Sequence, residues 1–264
     1  MTAREALEGA VNALAAAGCE TPRLDAEMLV ADALGLDRGR LLADPDTTVS
    51  PAAARSIAER VRRRVGREPV AYILGRKGFR RIELAVDRRV LIPRPETELL
   101  VETALELPEG ARVHEVGTGS GAVALALIDE RPDLRVSASD FSQAALEVAN
   151  ANAERLGLKL ELHSNWGLPA GRFDLVLANL PYVRNDDWAV LAPEIRRFEP
   201  REALLGGRDG LDAIRELVGQ APAGTRLALE HAPAQAAAVR GLLREAETRR
   251  DLAGRERVTV GIAP

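Results

Sequence analysis

Glu115-Val116-Gly117-Thr118-Gly119-Ser120-Gly121 closes a candidate strand over residues 112–116 and opens a helix-forming stretch over 122–129. Glycines at such a junction permit a tight turn and close backbone approach, and amides at a helix N-terminus attract an anionic group. The spacing is GxGxG rather than the GxGxxG of dinucleotide sites. A pyrophosphate is therefore not required, and a methionine carboxylate suits the same amides; a dinucleotide fold or a plain turn remains open. Downstream, candidate strands at 134–139, 159–163, 173–178, 226–230 and 258–262 alternate with helical stretches such as 142–156 and 211–219. Alternating strands and helices predict an α/β fold with a mainly parallel, doubly wound sheet, in which ligands bind beyond the carboxyl ends of the strands.

Upstream of the loop the pattern changes. Residues 1–75 predict short helices and no strand. Thr2-Ala3-Arg4-Glu5 is a capping box, and Thr21-Pro22 and Ser50-Pro51 each place a cap residue before a proline at the first helical position. Leu24, Met28, Leu29 and Ala33 recur at helical spacing, as do Ile57, Val61 and Val65. Phe79-Arg80-Arg81-Ile82-Glu83-Leu84-Ala85-Val86 alternates with period two, as a strand or hairpin would. In Leu91-Ile92-Pro93-Arg94-Pro95-Glu96-Thr97-Glu98 the prolines fix an extended path, and Thr97 stands where it would cap a helix over 98–107. The organisation expected is a small helical domain over 1–75, a β-hairpin and linker over 76–98, and an α/β domain over 99–264.

Bulk properties narrow the function. The 264 residues leave room for a core domain plus a small one, and 46% hydrophobic with 29% charged residues is a globular balance. A net charge of -4 and only 3% aromatics supply neither a basic field nor stacking platforms, which disfavours nucleic acid as a direct substrate. Cys19 is the only cysteine, so no internal disulfide forms. Leu14-Ala15-Ala16-Ala17-Gly18-Cys19 faintly suggests a lipoprotein cleavage site, but Glu5 and Glu8 stand where a signal peptide carries positive charge. No run approaches the ~20 apolar residues of a membrane span, and the cytoplasm is the expected address. His114, His163 and His231 lack ligand spacing, so no metal is expected. Arg60-Val61-Arg62-Arg63-Arg64-Val65-Gly66-Arg67 is either a solvated helix face or a patch for RNA or an acidic partner.

Candidate binding residues fall at strand ends. Asp140 closes the second predicted strand and can accept both hydroxyl hydrogens of a ribose; the alternative is a cap for the helix beginning near Ser142. Phe141 can pack on an adenine face or in the core. Asn165 offers a donor and an acceptor for an adenine edge, and Trp166 either lines that pocket or caps the core. Asn179-Leu180-Pro181-Tyr182 follows the fourth predicted strand. Asn and Pro are ordinary turn residues, but this location raises a chemical reading. An amide nitrogen is a poor nucleophile because its lone pair is delocalised into the carbonyl. To attack a sulfonium methyl in line, its N–H groups need acceptors that hold it and concentrate charge on nitrogen. The Asn179 side-chain oxygen and the Leu180 carbonyl can be those acceptors, Pro181 stiffens the loop, and Tyr182 can stack on the planar group.

These segments carry a resemblance. Residues 91–98, the 117–121 loop, Asn179-Leu180-Pro181-Tyr182, the stretch Phe198-Glu199-Pro200-Arg201-Glu202-Ala203-Leu204-Leu205-Gly206-Gly207-Arg208-Asp209-Gly210-Leu211, and Asp251-Leu252-Ala253-Gly254-Arg255-Glu256-Arg257 resemble the PrmC/HemK family of protein-(glutamine-N5) methyltransferases. The resemblance implies a Rossmann-like class I methyltransferase sheet using S-adenosyl-L-methionine, preceded by a helical domain that grips class I peptide-chain release factors. The substrate it implies is the glutamine of their Gly-Gly-Gln tripeptide. It places Gly117, Gly119, Asp140 and Asn165 at the cofactor, with Glu115, Thr118, Gly121, Phe141 and Trp166 expected beside them. Asn179 and the loop to Tyr182 would hold the glutamine amide, and Arg94, Pro95, Glu96 and Thr97 are expected on the substrate side. The chain departs from the family in carrying Leu180 where proline is usual, and Glu115 and Asn165 where aspartate is common. Leucine keeps the backbone carbonyl but frees φ. Alternatives from other classes are an adenine-N6 methyltransferase acting on nucleic acid, a glutamine methyltransferase acting on a ribosomal protein, and a non-catalytic cofactor-binding protein.

Overall fold

The first elements are α1 (Ala3–Ala16), α2 (Pro22–Leu34), α3 (Arg38–Ala43), α4 (Pro51–Val65), α5 (Val70–Leu74), β1 (Arg76–Phe79), β2 (Ile82–Ala85) and α6 (Glu98–Leu105). There follow β3 (Arg112–Val116), α7 (Ala122–Glu130), β4 (Arg135–Asp140), α8 (Gln143–Leu156), β5 (Glu161–Ser164) and β6 (Leu175–Ala178). The chain ends with α9 (Pro193–Phe198), α10 (Asp212–Gln220), β7 (Arg226–Glu230), α11 (Ala236–Arg240), β8 (Arg244–Arg250) and β9 (Glu256–Ile262). The structure is a computed structural model describing residues 1–264. It divides into two units, residues 1–75 with 192–198, and residues 76–191 with 199–264.

In the first unit the Thr2–Glu5 capping box closes in both directions, and Ser50 Oγ accepts from the Ala53 amide. Thr21 does not cap α2; its hydroxyl donates to Asp25 at 2.8 Å instead. Leu7, Leu14, Leu29, Leu41 and Ile57 bury together in the core. The arginine run is neither a solvated face nor a free basic patch. Arg60 pairs with Asp32, Arg62 with Glu59, Arg63 with Glu68, Arg64 with Asp25 and Glu194, and Arg67 with Glu194. Glu194 arrives on α9, a segment that sequence order places far from α4.

The second unit is built on a seven-stranded sheet in the order β5-β4-β3-β6-β7-β9-β8, with β9 antiparallel to both β7 and β8 and the rest parallel. All four residues of β6 are buried, as in a strand covered on both faces. Strand β8 is absent from the sequence expectation because Arg244-Glu245-Ala246-Glu247-Thr248-Arg249-Arg250 shows no apolar alternation. It is an edge strand held by its ladder to β9, so burial leaves little pattern on it. The hairpin β1–β2 is part of this unit and not a linker. Asn152 of α8, fully buried, donates to the carbonyls of Ala85 and Ser120 and accepts from the Ala85 amide, tying β2 to the glycine loop. Strand order reverses between β3 and β6, and a switch point of this kind leaves a crevice at the carboxyl ends. No helix is long and apolar enough to cross a membrane.

Candidate active site

The crevice is lined by the loops leaving β3, β4 and β6, an open cleft of about 780 Å³. After β3 the chain turns through Gly117, Gly119 and Gly121, at φ +76°, +56° and +83°. Non-glycine residues are strained in this left-handed region. A Cβ on Gly117 would stand 3.1 Å from Leu180 Cδ2, so the β3 and β6 loops meet closely at this glycine. The Gly117 and Thr118 amides both donate to the Ser139 carbonyl, binding the loop to the end of β4.

Three carboxylates line the cleft, the exposed Glu202 and the buried Asp140 and Glu115. Asp140 Oδ2 accepts from the Gly119 amide and Oδ1 from the Ser142 amide, both at 2.9 Å. Asp140 is not the cap of α8, since Ser142 Oγ fills that role toward Ala145. Glu115 accepts from Thr118 Oγ1 at 2.7 Å and from the Ala124 amide at 3.0 Å. Burial raises the Asp140 carboxyl above its ordinary range and pushes Glu115 up to about 8. Two acids held at this energetic cost favour a cationic ligand, which restores their charge. Leu91, Val123, Phe141 and Trp166 give the cleft an apolar surface, and Arg89 and Arg94 also line it. Phe141 is half exposed and meets Trp166 edge to face at 6.0 Å, and the buried Trp166 Nε1 has no hydrogen-bond partner. Paired carboxylates, flat apolar walls and one orphaned donor fit a ligand carrying a cationic centre, a ribose and a purine, the chemistry of S-adenosyl-L-methionine.

At the end of β6 the Asn179 side chain donates from Nδ2 to Thr97 Oγ1 at 3.0 Å, which leaves Oδ1 as the free acceptor. Leu180 is 2% exposed, packed among core residues that include Val116, Leu211 and Ile214. Packing therefore anchors this position where the family's usual proline would restrain φ. Tyr182 turns inward, its hydroxyl donating to Glu230 at 3.2 Å, and burial beside that carboxylate raises the phenol.

Not every expected residue lines the cleft. Arg94, Thr97, Gly117, Thr118 and Gly119 do; Gly121 instead forms the left-handed entry to α7, where a Cβ would strike Leu125. Asn165 turns its amide onto the carbonyls of Trp166 and Gly167, so Trp166 and not Asn165 faces the pocket. Pro95 begins a 3-10 turn, and Glu96 is held by Arg255 and Arg257 from the β8–β9 hairpin. Thr97 does not cap α6, because the turn runs straight into the helix and leaves its hydroxyl for Asn179. Trp188 stacks under the Arg201 guanidinium, 5.2 Å from the ring centre. His114 is sealed between Ser137 and Ser139, and burial lowers it to about 4.

Two further buried carboxylates, to which the sequence assigns no role, shape the site. Glu199, almost fully buried, accepts from the Ile92 amide and from Arg94, which fixes the proline-rich segment over the cleft. Glu230 is 1% exposed at the carboxyl end of β7, and burial pushes it up to about 7. Its position at a strand end, like that of Glu115, Asp140 and Asn179, was a signal available in the sequence.

Known proteins match this arrangement. The PrmC N-terminal domain family matches residues 5–75, and a methyltransferase domain family matches residues 113–198. A release factor glutamine methyltransferase of Xylella fastidiosa (strain Temecula1) is 45% identical over 95% of this chain and 97% of its own. One from Cereibacter sphaeroides is 43% identical over 100% and 99%. A solved protein-(glutamine-N5) methyltransferase (release factor-specific) from Alicyclobacillus acidocaldarius is 26% identical, covering 64% of this chain and 92% of that one with a TM-score of 0.38. With identity of this order running nearly end to end in both sequence relatives, this chain belongs to the release factor glutamine methyltransferase family.

Proposed function

We propose that the protein methylates the side-chain nitrogen, N5, of the glutamine in the Gly-Gly-Gln motif of class I peptide-chain release factors, in the cytoplasm and without nucleic acid as direct substrate. The observation that carries this reading is the Asn179 amide, fixed at the mouth of the crevice with Nδ2 engaged and Oδ1 free. S-adenosyl-L-methionine, when bound, supplies a methyl group on a positively charged sulfur. Asp140 would hold its ribose, Glu115 would face its cationic end, and the 117–119 backbone would take its carboxylate. Phe141 and Trp166 would flank the purine.

Asn179 Oδ1 and the Leu180 carbonyl accept the two N–H groups of the substrate amide. Holding both hydrogens in one plane presents the nitrogen face-on and draws electron density onto it. No charged base is needed beforehand, because the N–H proton becomes acidic as the new N–C bond forms and then leaves to solvent.

The test is labelled methyl transfer to a release factor whose Gly-Gly-Gln glutamine is intact or replaced. Label on the intact protein alone is expected. Equal label on both, or on neither, overturns the reading, and preferential label on nucleic acid or a ribosomal protein replaces it with the corresponding alternative. Asn179→Ala is expected to reduce turnover by about 10²–10³-fold, the range seen when one preorganised polar group is removed, with little change in cofactor affinity.

A further inference from the structure

The glycine-rich stretch over 206–210 belongs to no helix or strand, yet it lies along the loop that presents Asn179. Val183 donates to the Leu204 carbonyl and accepts from the Gly206 amide, and the Asn185 amide donates to the Gly207 carbonyl. A Cβ on Gly206 would overlap the Pro181 carbonyl oxygen, and one on Gly210 that of Tyr182. Leu211 packs in the same core as Leu180. The 179–182 loop is therefore laid against a second backbone segment, and its shape follows whatever holds the two together.

Gln235 holds them. It leaves β7 through the short 3-10 turn Pro233–Gln235, and it is 8% exposed. Its Nε2 donates to the Tyr182 carbonyl and to the Asp209 carbonyl, both at 3.0 Å, while Oε1 accepts from the Ala232 amide at 2.9 Å. Reversed end for end, the side-chain amide would set its oxygen against two carbonyls and its nitrogen against an N–H, so one orientation alone fits. A single nitrogen thus ties the loop that bears both proposed acceptors to the 204–211 segment. Tyr182 stands three residues after Asn179 and two after Leu180.

Resting on the function proposed above, we infer that Gln235 is a positioning residue. By bridging the Tyr182 and Asp209 carbonyls it sets where the Asn179 oxygen and the Leu180 carbonyl meet the substrate amide. It does not line the cleft and touches none of the reacting atoms.

The test compares full-length wild type with Gln235→Met and Gln235→Glu. Methionine has a similar length and cannot donate, whereas glutamate keeps the shape and donates only when protonated. Readouts are kcat at saturating release factor and cofactor, the cofactor Kd by calorimetry, and hydrogen exchange of the Val183 and Asn185 amides. Gln235→Met should lower kcat about tenfold or more, as a displaced positioning group does, with Kd within about twofold of wild type. In Gln235→Glu the ionised carboxylate opposes both carbonyls, and protonation restores one donation. Its kcat relative to wild type should rise about threefold or more as pH falls from about 8.5 to 6.5, while the Gln235→Met ratio stays flat. Titrations shared with wild type cancel in both ratios. Wild-type kcat in Gln235→Met overturns the proposal, as does an equal loss of cofactor binding or the same pH course in both variants. If wild type labels no release factor, the proposed substrate falls and amide exchange decides the role of Gln235 separately. Exchange at Val183 and Asn185 should be about tenfold faster in Gln235→Met with the β3 and β6 amides unchanged. Wild-type rates, or faster exchange throughout the sheet, refute it.

Discussion

Leu180→Ala tests whether side-chain packing stands in for the usual proline in the 179–182 loop. Leu180 is 2% exposed in the core of the second unit, and its Cδ2 fills the space opposite Gly117. Truncating a buried leucine to alanine costs about 2–5 kcal/mol, rising with the cavity left behind. Here one side of the vacated space borders the cleft, where water and the loop itself can move in, so the lower part of that range applies, about 2–3 kcal/mol. For a chain of this size that corresponds to a Tm lower by roughly 5–10 °C. The catalytic effect should be larger than the loss of fold implies, because the Leu180 carbonyl is one of the two proposed acceptors. A displacement of about 1 Å in a positioning group costs on the order of 10²-fold in rate. The assay pairs calorimetric melting with kcat measured well below both transitions, where each protein is folded. A Tm within about 2 °C of wild type together with unchanged kcat would show that the leucine neither anchors the loop nor positions its carbonyl.

Asp140→Ala removes the acceptor for the Gly119 and Ser142 amides, so cofactor affinity should fall at least tenfold, about 1.4 kcal/mol, in a calorimetric titration; retained affinity contradicts the ribose role. Stability should decrease as pH rises from about 6.5 to 8. Glu115 and Glu230 have folded values of about 8 and about 7 against an ordinary 4.5, so the folded state holds protons that the unfolded state has released. His114 and His231, lowered by burial, act in the opposite sense but only below about 6.5. Glu115 alone contributes about 2 kcal/mol across that window, a fall of several degrees in Tm that Glu115→Gln should largely abolish; a flat or rising wild-type Tm refutes it. In the first unit, Arg64→Met leaves Asp25 as a buried acid without its guanidinium partner, 2.7 Å away in the wild type. A loss of about 3 kcal/mol in chemical denaturation is expected, and a neutral result would mean water already reaches the pair.

Local chemistry made much of this protein legible from its sequence. Strand–loop–helix alternation, the glycines of 117–121 and the position of Asn179 after a buried strand follow from backbone sterics and hydrophobic period, which act over a few residues. The same rules gave the wrong partner wherever a polar side chain had several within reach. Thr97 has the look of a cap and the 60–67 arginines of a surface patch, yet residues distant in sequence claim Thr97, Arg64 and Arg67, while Asn165, with the look of a ligand contact, turns onto the adjacent carbonyls of Trp166 and Gly167. Asn179 lies 82 positions from Thr97, and Glu194 comes to Arg64 and Arg67 from beyond the sheet's central strands. Strand β8 escaped notice because an edge ladder stabilises backbone, leaving no apolar period to read. Hydrophobic patterning specifies which faces are buried. Which donor meets which acceptor is specified only when the folded chain brings strand ends together, and in this site that pairing determines whether Asn179 presents an oxygen.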